Sequence, residues 1–343
     1  MLTVECSGTP YEIGVQHGTA AKAHIERCIA FYAGLFEKTS KMDWPQVQDV
    51  ARSFDAHIES TWPTYHEEIK GIAAGSGRPL LDIVALNVRT EIAFGKFSDG
   101  CTSLAWHTEK RAYLGQNWDW MLKQKENLFI LKIVQAGKPS IQMVTEAGII
   151  GKIGFNSAGV GVCLNAIKSQ GMDPTRLPVH LALRMALESH STKDALQSLE
   201  HWGIAAPGHI LIADSTGDAV GFEFTSTTML KLLPDAKGRV VHSNHLLLKH
   251  PGIIDTVWIK DSLFRVDRMS ELTEDLATTE PTWAQVSRLF EDEVNAPTAI
   301  CRDQKGESTS GTLFNIIMDL KQKTAVVRLG RPCQTEETDE LAF

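Results

Sequence analysis

A cysteine directly after a glycine, in Asp99-Gly100-Cys101-Thr102-Ser103, is the first place in this 343-residue chain where the residue types suggest chemistry. Glycine lets the backbone bend and lets a thiol approach the preceding carbonyl. An Asp-Gly pair is also an ordinary turn signal, and a thiol after it also reads as a strand-edge cysteine. A second segment, Leu114-Gly115-Gln116-Asn117-Trp118-Asp119-Trp120, gathers amide, acid and aromatic groups at the end of an apolar run. It reads either as a polar strand end or as an acid with main-chain donors beside the thiol. A third, His242-Ser243-Asn244-His245, ends a short apolar stretch in four polar residues. Asn244 there is placed either to cap a loop or to donate its amide hydrogens to an oxyanion. The six cysteines are scattered and form no CxxC pair. Each is by default a small buried hydrophobe, and neither a disulfide scaffold nor a zinc site is expected. No metal or cofactor is called for.

The elements that must position these groups change character near residue 100. Before it the periodicity is helical. Ile25, Ile29, Tyr32 and Phe36 share one face, and a second helix starts at Asp43, with Pro45 in its first turn and Val47, Val50, Phe54 and Ile58 inward. Tyr65–Ala74 is a third helix, and Pro79 opens a fourth with Leu81, Val84 and Val88 inward. After residue 100 the pattern turns to strands: Thr102–Trp106, Ala112–Trp118, Leu128–Val134, Ile141–Thr145 and Val160–Leu164. A helical block from Val179 to about Leu199 breaks near Ser191. Ile210–Asp214 and Ala219–Phe224 flank a hairpin turn, and Val240–His242 adds a short strand. Helices around Ser262–Leu272 and Thr282–Asp292 precede a last hairpin, Leu313–Met318 with Ala325–Leu329. Strands follow strands too often for a doubly wound parallel sheet. The pattern suits a layered α/β sandwich of mainly antiparallel strands.

Composition limits the function classes. Hydrophobic residues make up 43% and charged residues 22%, ordinary values that argue against disorder. The net charge of −8, with no basic run, disfavours nucleic acid as a partner. The start, Met1-Leu2-Thr3-Val4-Glu5-Cys6, has no basic region or apolar core of a secretory signal, and no apolar run approaches bilayer length. A cytoplasmic protein without a membrane partner is expected.

Taken together the segments resemble the fungal acyl-CoA:isopenicillin-N acyltransferases of the N-terminal-nucleophile hydrolase superfamily. The resemblance covers nearly the whole chain. It runs through Met1-Leu2, Gly8-Thr9-Pro10, Glu12-Ile13-Gly14, Asp99-Gly100-Cys101, Gly115 to Asp119 and Thr145 to Lys152. It continues through Gly154 to Val160, Leu181 to Ser189, His242 to His245 and Thr312 to Ile316. It implies a single four-layer αββα domain over 1–343. It also implies a precursor that cleaves itself between Gly100 and Cys101, into a helical fragment 1–100 and a second fragment 101–343 that stay associated. In that chemistry the thiol attacks the glycine carbonyl, the amide shifts to a thioester, and water frees a chain beginning at Cys101. The new α-amine titrates near pH ~7.7–8, so it serves as base for its own thiol and no separate histidine is needed. By the same resemblance Asn244 is the oxyanion-hole amide, and Asp119 serves processing and the amine-acceptor pocket. Ser103 and Thr228 keep hydroxyls where the relatives have Thr and Ser.

Three departures from the family bear on function. Thr309 stands where the penicillin-forming relatives have an arginine in the β-lactam pocket, and Glu307 where they have lysine. A threonine supplies no charge for a carboxylate, although Arg302 is close in sequence. Trp120-Met121 replaces two phenylalanines and would reshape an acyl pocket. Leu341-Ala342-Phe343 is not the peroxisomal tripeptide. The expected function is transfer of an acyl group from a thioester to an amine through a Cys101 acyl-enzyme, in fungal specialised metabolism other than penicillin synthesis. The alternative is an amidase of the same fold, with water as acceptor.

Overall fold

Helix and strand follow the two periodicities read from the sequence. The computed structural model describes residues 1–93, 100–254, 259–276 and 280–343, so Asp99 lies outside the described residues. A short strand β1 (Thr3–Ser7) leads into α1 (Pro10–Ala20), α2 (Lys22–Ser40), α3 (Trp44–Thr61), α4 (Pro63–Ser76), α5 (Leu80–Asn87) and α6 (Arg89–Ala93). Six strands follow: β2 (Gly100–His107), β3 (Ala112–Trp120), β4 (Leu128–Val134), β5 (Ile141–Glu146), β6 (Ile153–Asn156) and β7 (Val160–Ala166). After α7 (Val179–Leu187) and α8 (Thr192–Trp202) come β8 (Gly208–Asp214), β9 (Ala219–Phe224), β10 (Met229–Leu232) and β11 (Arg239–His242). The chain ends with α9 (Asp261–Leu276), α10 (Trp283–Leu289), β12 (Gly311–Asp319), β13 (Thr324–Leu329) and β14 (Glu337–Ala342).

Six of these elements, β1, α1, α6, β6, β10 and β14, have no counterpart in the sequence reading. Helix α1 shows why. Its start is well signalled: Thr9 and Glu12 form a capping box and Pro10 occupies the first turn. Its buried face, however, is Ile13, Gly14, His17 and Gly18 rather than an apolar stripe. Gly14 lies against Gly71 of α4, Gly18 against Ile72 and Ser76, and Gly75 of α4 against Val15 and Thr19. A Cβ at Gly14 would come within 2.1 Å of the Glu68 carbonyl oxygen, and one at Gly75 within 2.2 Å of that of Val15. The two backbones touch, which only glycine permits, and hydrophobic periodicity does not register it.

The strands form two sheets. One has the order β1-β4-β5-β6-β7-β8-β9-β10 and the other β11-β2-β3-β12-β13-β14. Every strand pair is antiparallel except β1 with β4. Strand β2 packs face to face on β7 and β8 across the two sheets. Helices α7 and α8 lie on the first sheet, α9 and α10 on the second, which gives the αββα sandwich that was expected. Alternation along β2 sets the geometry of the site. Cys101 and Ala105 join the core between the sheets, while Leu104 and Trp106 pack outward with Met269, Val286, Leu289 and Phe290. Residues from both sides of Cys101 share the inner core, from Val4 and Ile13 to Val327 and Leu341. No helix of the described residues is long and apolar enough to cross a membrane.

Candidate active site

Strand β2 begins at Gly100 and is paired on both sides. Its neighbour β3 places Asp119 opposite Gly100 and Trp118 opposite Cys101. Its other neighbour, β11, places His242 opposite Ser103, so the polar tail after β11 starts beside Cys101. The three polar segments of the sequence are therefore brought together by strand register alone.

Cys101 is buried. Its main-chain N–H donates to Asn244 Oδ1 at 2.8 Å, and its carbonyl accepts from Ser243 Oγ at 3.1 Å. The Asn244 amide nitrogen donates one hydrogen to the Ala166 carbonyl at 3.0 Å, and its own N–H is held by Ser262 Oγ at 2.7 Å. An amide nitrogen carries two hydrogens, so one remains for a further acceptor. Arg265 of α9 lies beneath this group. It donates to the Cys101 carbonyl, to Thr102 Oγ1 at 3.0 Å and to Asn244 Oδ1 at 2.9 Å. Burial, and then the nearby Arg302, press its pKa downward.

Asp119 is also buried. Oδ1 accepts from Thr312 Oγ1 at 2.7 Å, while Oδ2 has no hydrogen bond and lies 3.4 Å from Arg302 Nε, which is likewise without one. Arg302 is occupied elsewhere, by Asp261 and by Ser308 Oγ at 3.1 Å. Burial raises the Asp119 pKa to about 6, against the opposing pull of Arg302, Arg265 and Thr312. A Cβ added to Gly100 would stand 2.9 Å from both Asp119 Oδ2 and Arg302 Nε. The residue before Cys101 is thus clamped between an acid and a guanidinium, and glycine alone fits.

Ser103 shares the inward face of β2. Its hydroxyl donates to Asn165 Oδ1 of β7 at 2.7 Å, which also meets His209 Nδ1 at 3.0 Å. The His209 ring stacks on His242 with centroids 3.5 Å apart. His242 contacts Glu223 at 2.9 Å, and the same carboxylate meets His250 at 3.0 Å and the N–H groups of Leu247 and Leu248. Glu223 therefore ties down both ends of the segment that carries Asn244. Thr228 belongs to this outer network: its hydroxyl lies 2.7 Å from His250 Nδ1.

The remaining expected residues are dispersed. Trp120 is buried at the end of β3, and Met121 is half-buried against the main core. Thr309 has an exposed side chain, set between buried Ser308 and Ser310. Sequence reading missed Arg265, Asp261, Thr312, Asn165, His209 and Glu223. Arg265 had a signal of sorts. The inward stripe of α9 is Ser262, Arg265, Met269 and Thr273, and a charged residue on an inward face marks a buried ion partner. Among the described residues no cluster of His, Cys, Asp or Glu is placed to hold a metal ion.

A sequence profile of "Acyl-coenzyme A:6-aminopenicillanic acid acyl-transferase" matches residues 106–334. The whole chain is also 44% identical to the "Acyl-coenzyme A:6-aminopenicillanic-acid-acyltransferase 40 kDa form" of Emericella nidulans, over 96% of that protein. The chain belongs to the acyl-coenzyme A:6-aminopenicillanic acid acyltransferase family. Membership makes it an acyltransferase of the N-terminal-nucleophile hydrolase fold. A more distant relative is the N-acylethanolamine-hydrolyzing acid amidase of Caenorhabditis elegans, 25% identical over 56% of this chain and 58% of that one. Among solved structures, a mutant of conjugated bile acid hydrolase from Clostridium perfringens superposes with a TM-score of 0.52. That match has 13% identity and covers 71% of this chain and 92% of the other, a likeness of fold.

Proposed function

We propose that the chain cuts itself between Gly100 and Cys101 and then uses Cys101 to move an acyl group from a thioester to an amine. The observation that carries this reading is the setting of the Gly100–Cys101 junction. It lies at the start of β2, with Gly100 clamped by Asp119 and Arg302 and the Cys101 N–H held by Asn244. In the precursor that N–H belongs to the bond to be broken. Asn244 Oδ1 orients it, and Arg265 steadies both the amide and the Cys101 carbonyl. After cleavage the same nitrogen is the α-amine that takes the thiol proton. The second hydrogen of the Asn244 amide is the donor for the oxyanion of each acyl transfer. Ser103, bonded to Asn165, keeps the strand face beside the thiol polar and fixed. Trp120, Met121, Thr228 and Thr309 are proposed to shape the acyl and amine pockets.

The acceptor is proposed to be an amine other than a penicillin nucleus. A β-lactam carboxylate calls for an uncommitted cation, and Arg302 already serves Asp261, Asp119 and Ser308. The likeness to an amide-hydrolysing relative supports a second reading, in which water is the acceptor. Mixing the protein with an acyl-CoA and a panel of amines, then measuring amide against free acid by mass spectrometry, separates the two.

Self-cleavage has a direct test. From a 37.8 kDa chain, two fragments of roughly 11 and 27 kDa are expected on a denaturing gel, the larger beginning at Cys101. Cys101→Ala is expected to stay a single, inactive chain. An N-terminal sequence beginning elsewhere overturns the reading.

A further inference from the structure

Nothing in the spacing of the six cysteines pairs any of them, yet two meet in the fold. Cys301 and Cys333 are 32 residues apart in the chain and their sulfur atoms are 2.9 Å apart. Cys301 is buried in the irregular stretch between α10 and β12, and Cys333 is partly exposed in the short turn Pro332–Gln334 after β13. The guanidinium of Arg331 reaches the Cys301 carbonyl at 3.4 Å. Burial raises both thiols, and the charge of Arg331 opposes this.

The position matters because Cys301 adjoins Arg302. The Arg302 N–H donates to Thr312 Oγ1, and its carbonyl accepts from the Thr312 N–H, both at 3.1 Å. Beyond that strap the stretch from 290 to 310 is held by bonds among its own residues, such as Cys301 to Asp292 and Asp303 to Pro297, and by ties from outside it, among them Asn117 to the Phe290 and Ile300 carbonyls and Arg331 to Glu293 and Asp303. A covalent tie at Cys301 would fix the base of the loop that brings Arg302, itself bonded to Ser308, to Asp119.

We propose that Cys301 and Cys333 form a reversible disulfide that clamps the Arg302-bearing loop to the segment after β13. The oxidant is a low-molecular-weight disulfide such as glutathione disulfide. Cys333, the accessible thiol, attacks one of its sulfurs as thiolate, forms a mixed disulfide and releases one glutathione. Cys301 then attacks the Cys333 sulfur, the protein S–S bond forms, and the second glutathione leaves. The two protein thiols are oxidised, glutathione disulfide is reduced to two glutathiones, and the two thiol protons end on them.

The test uses the full-length protein and no catalytic readout, so it stands or falls separately from the function proposed above. The protein is incubated with glutathione disulfide, alkylated, digested without reductant and mapped by mass spectrometry. A linked pair of peptides containing Cys301 and Cys333 is expected, lighter by two hydrogens than the separate thiol peptides and resolved by dithiothreitol. The oxidised form is expected to melt roughly 3–5 °C above the reduced form, because a loop of this length is closed in the unfolded chain. Cys333→Ser is expected to show neither the link nor the oxidant-dependent shift. Recovery of both cysteines separately alkylated, or of a Cys333–glutathione adduct that goes no further, overturns the site. A link with no rise in melting temperature overturns the clamp.

Discussion

Two buried carboxylates lie within the same fold, Glu146 at the end of β5 and Asp119 near the end of β3, and burial has opposite outcomes for them. Glu146 has both oxygens occupied. Oε1 accepts from Tyr32 and from Gln124 at 2.8 Å, and Oε2 from Arg89 at 2.6 Å and from Lys152. Burial pushes its pKa up, but Arg89, Lys152 and these hydrogen bonds outweigh it and leave the group well below the usual carboxylate range. Asp119 has two guanidinium groups nearby, yet one oxygen lacks a hydrogen bond, burial prevails, and its pKa rises to about 6. The difference teaches what each cluster is for. A saturated cluster has nothing left to offer a ligand and serves the fold. An acid kept dry and half-satisfied, beside Gly100, retains capacity for a reacting group, as the chemistry proposed needs.

The largest effect should come from breaking the saturated cluster. Glu146→Gln leaves Arg89 and Lys152 buried with less compensation, and is expected to cost about 3–5 kcal/mol of stability. The sign with pH follows. The folded-state pKa of Glu146 is lowered, so its contribution is present above the unfolded carboxylate range and is lost as pH falls through the folded value. Urea midpoints at neutral pH check this, and a loss below about 1 kcal/mol would show that the cluster is not structural. Next comes the site. Asn244→Ala is expected to lower kcat about 10²–10³-fold with the fold retained, measured on protein already cleaved. Near-normal turnover would remove Asn244 from the reaction.

Asp119→Asn sharpens the contrast further. Its raised pKa means that folding favours the neutral form more than the unfolded chain does. Asp119 therefore contributes stability at low pH that is lost as pH rises from about 4 through about 6, on the order of 3 kcal/mol at full ionisation. The variant is expected to flatten that part of the pH–stability curve and to equal or exceed the natural protein at about pH 7.5, while losing activity. The gain should stop near 1–2 kcal/mol, because Arg302 and Arg265 lose a nearby charge. A destabilisation of about 3 kcal/mol or more at that pH would make both clusters structural and end the comparison.

How much of this was legible in the sequence depends on what each feature is made of. Apolar periodicity revealed α2, α3 and most strands, because a water-excluding face has a period. It missed α1, whose buried face is two glycines and a histidine beside Ile13, and β14, whose residues Glu337 to Ala342 are mostly polar. The site divides similarly. Cys101, Asp119 and Asn244 stand in unusual local clusters, so residue type and neighbours pointed to them. Arg265, Asp261, Thr312 and Glu223 act through contacts between distant parts of the chain, 21 residues apart for Arg265 with Asn244 and 193 for Thr312 with Asp119. No local pattern carries such a pairing. Arg302 was noticed only as a neighbour of Thr309. Its engagement with Asp119 and Asp261 is a property of the fold.

The smallest effect is expected at Thr309, where the resemblance implies an arginine in the penicillin-forming relatives. If the missing charge alone barred a penicillin nucleus, Thr309→Arg would confer acylation of 6-aminopenicillanic acid. The side chain at 309 is exposed, while the buried places beside it belong to Ser308 and Ser310. A guanidinium entering from an exposed position meets a carboxylate in a largely aqueous setting, where such a pair contributes about 0–1 kcal/mol. The gain should therefore be no more than about fivefold in kcat/KM, and it should fade as salt is raised. Neighbouring Glu307, also exposed, works against it. Glu307→Lys added to Thr309→Arg should improve the gain slightly, by removing one negative charge and adding a positive one. Acylation of 6-aminopenicillanic acid is measured for the natural protein, the single variant and the double variant at low and high salt. A gain on the order of a hundredfold in Thr309→Arg, far above what an exposed pair supplies, would mean that position 309 reaches a dry pocket once substrate is bound. Efficient penicillin formation by the natural protein would mean that no cation at 309 is needed.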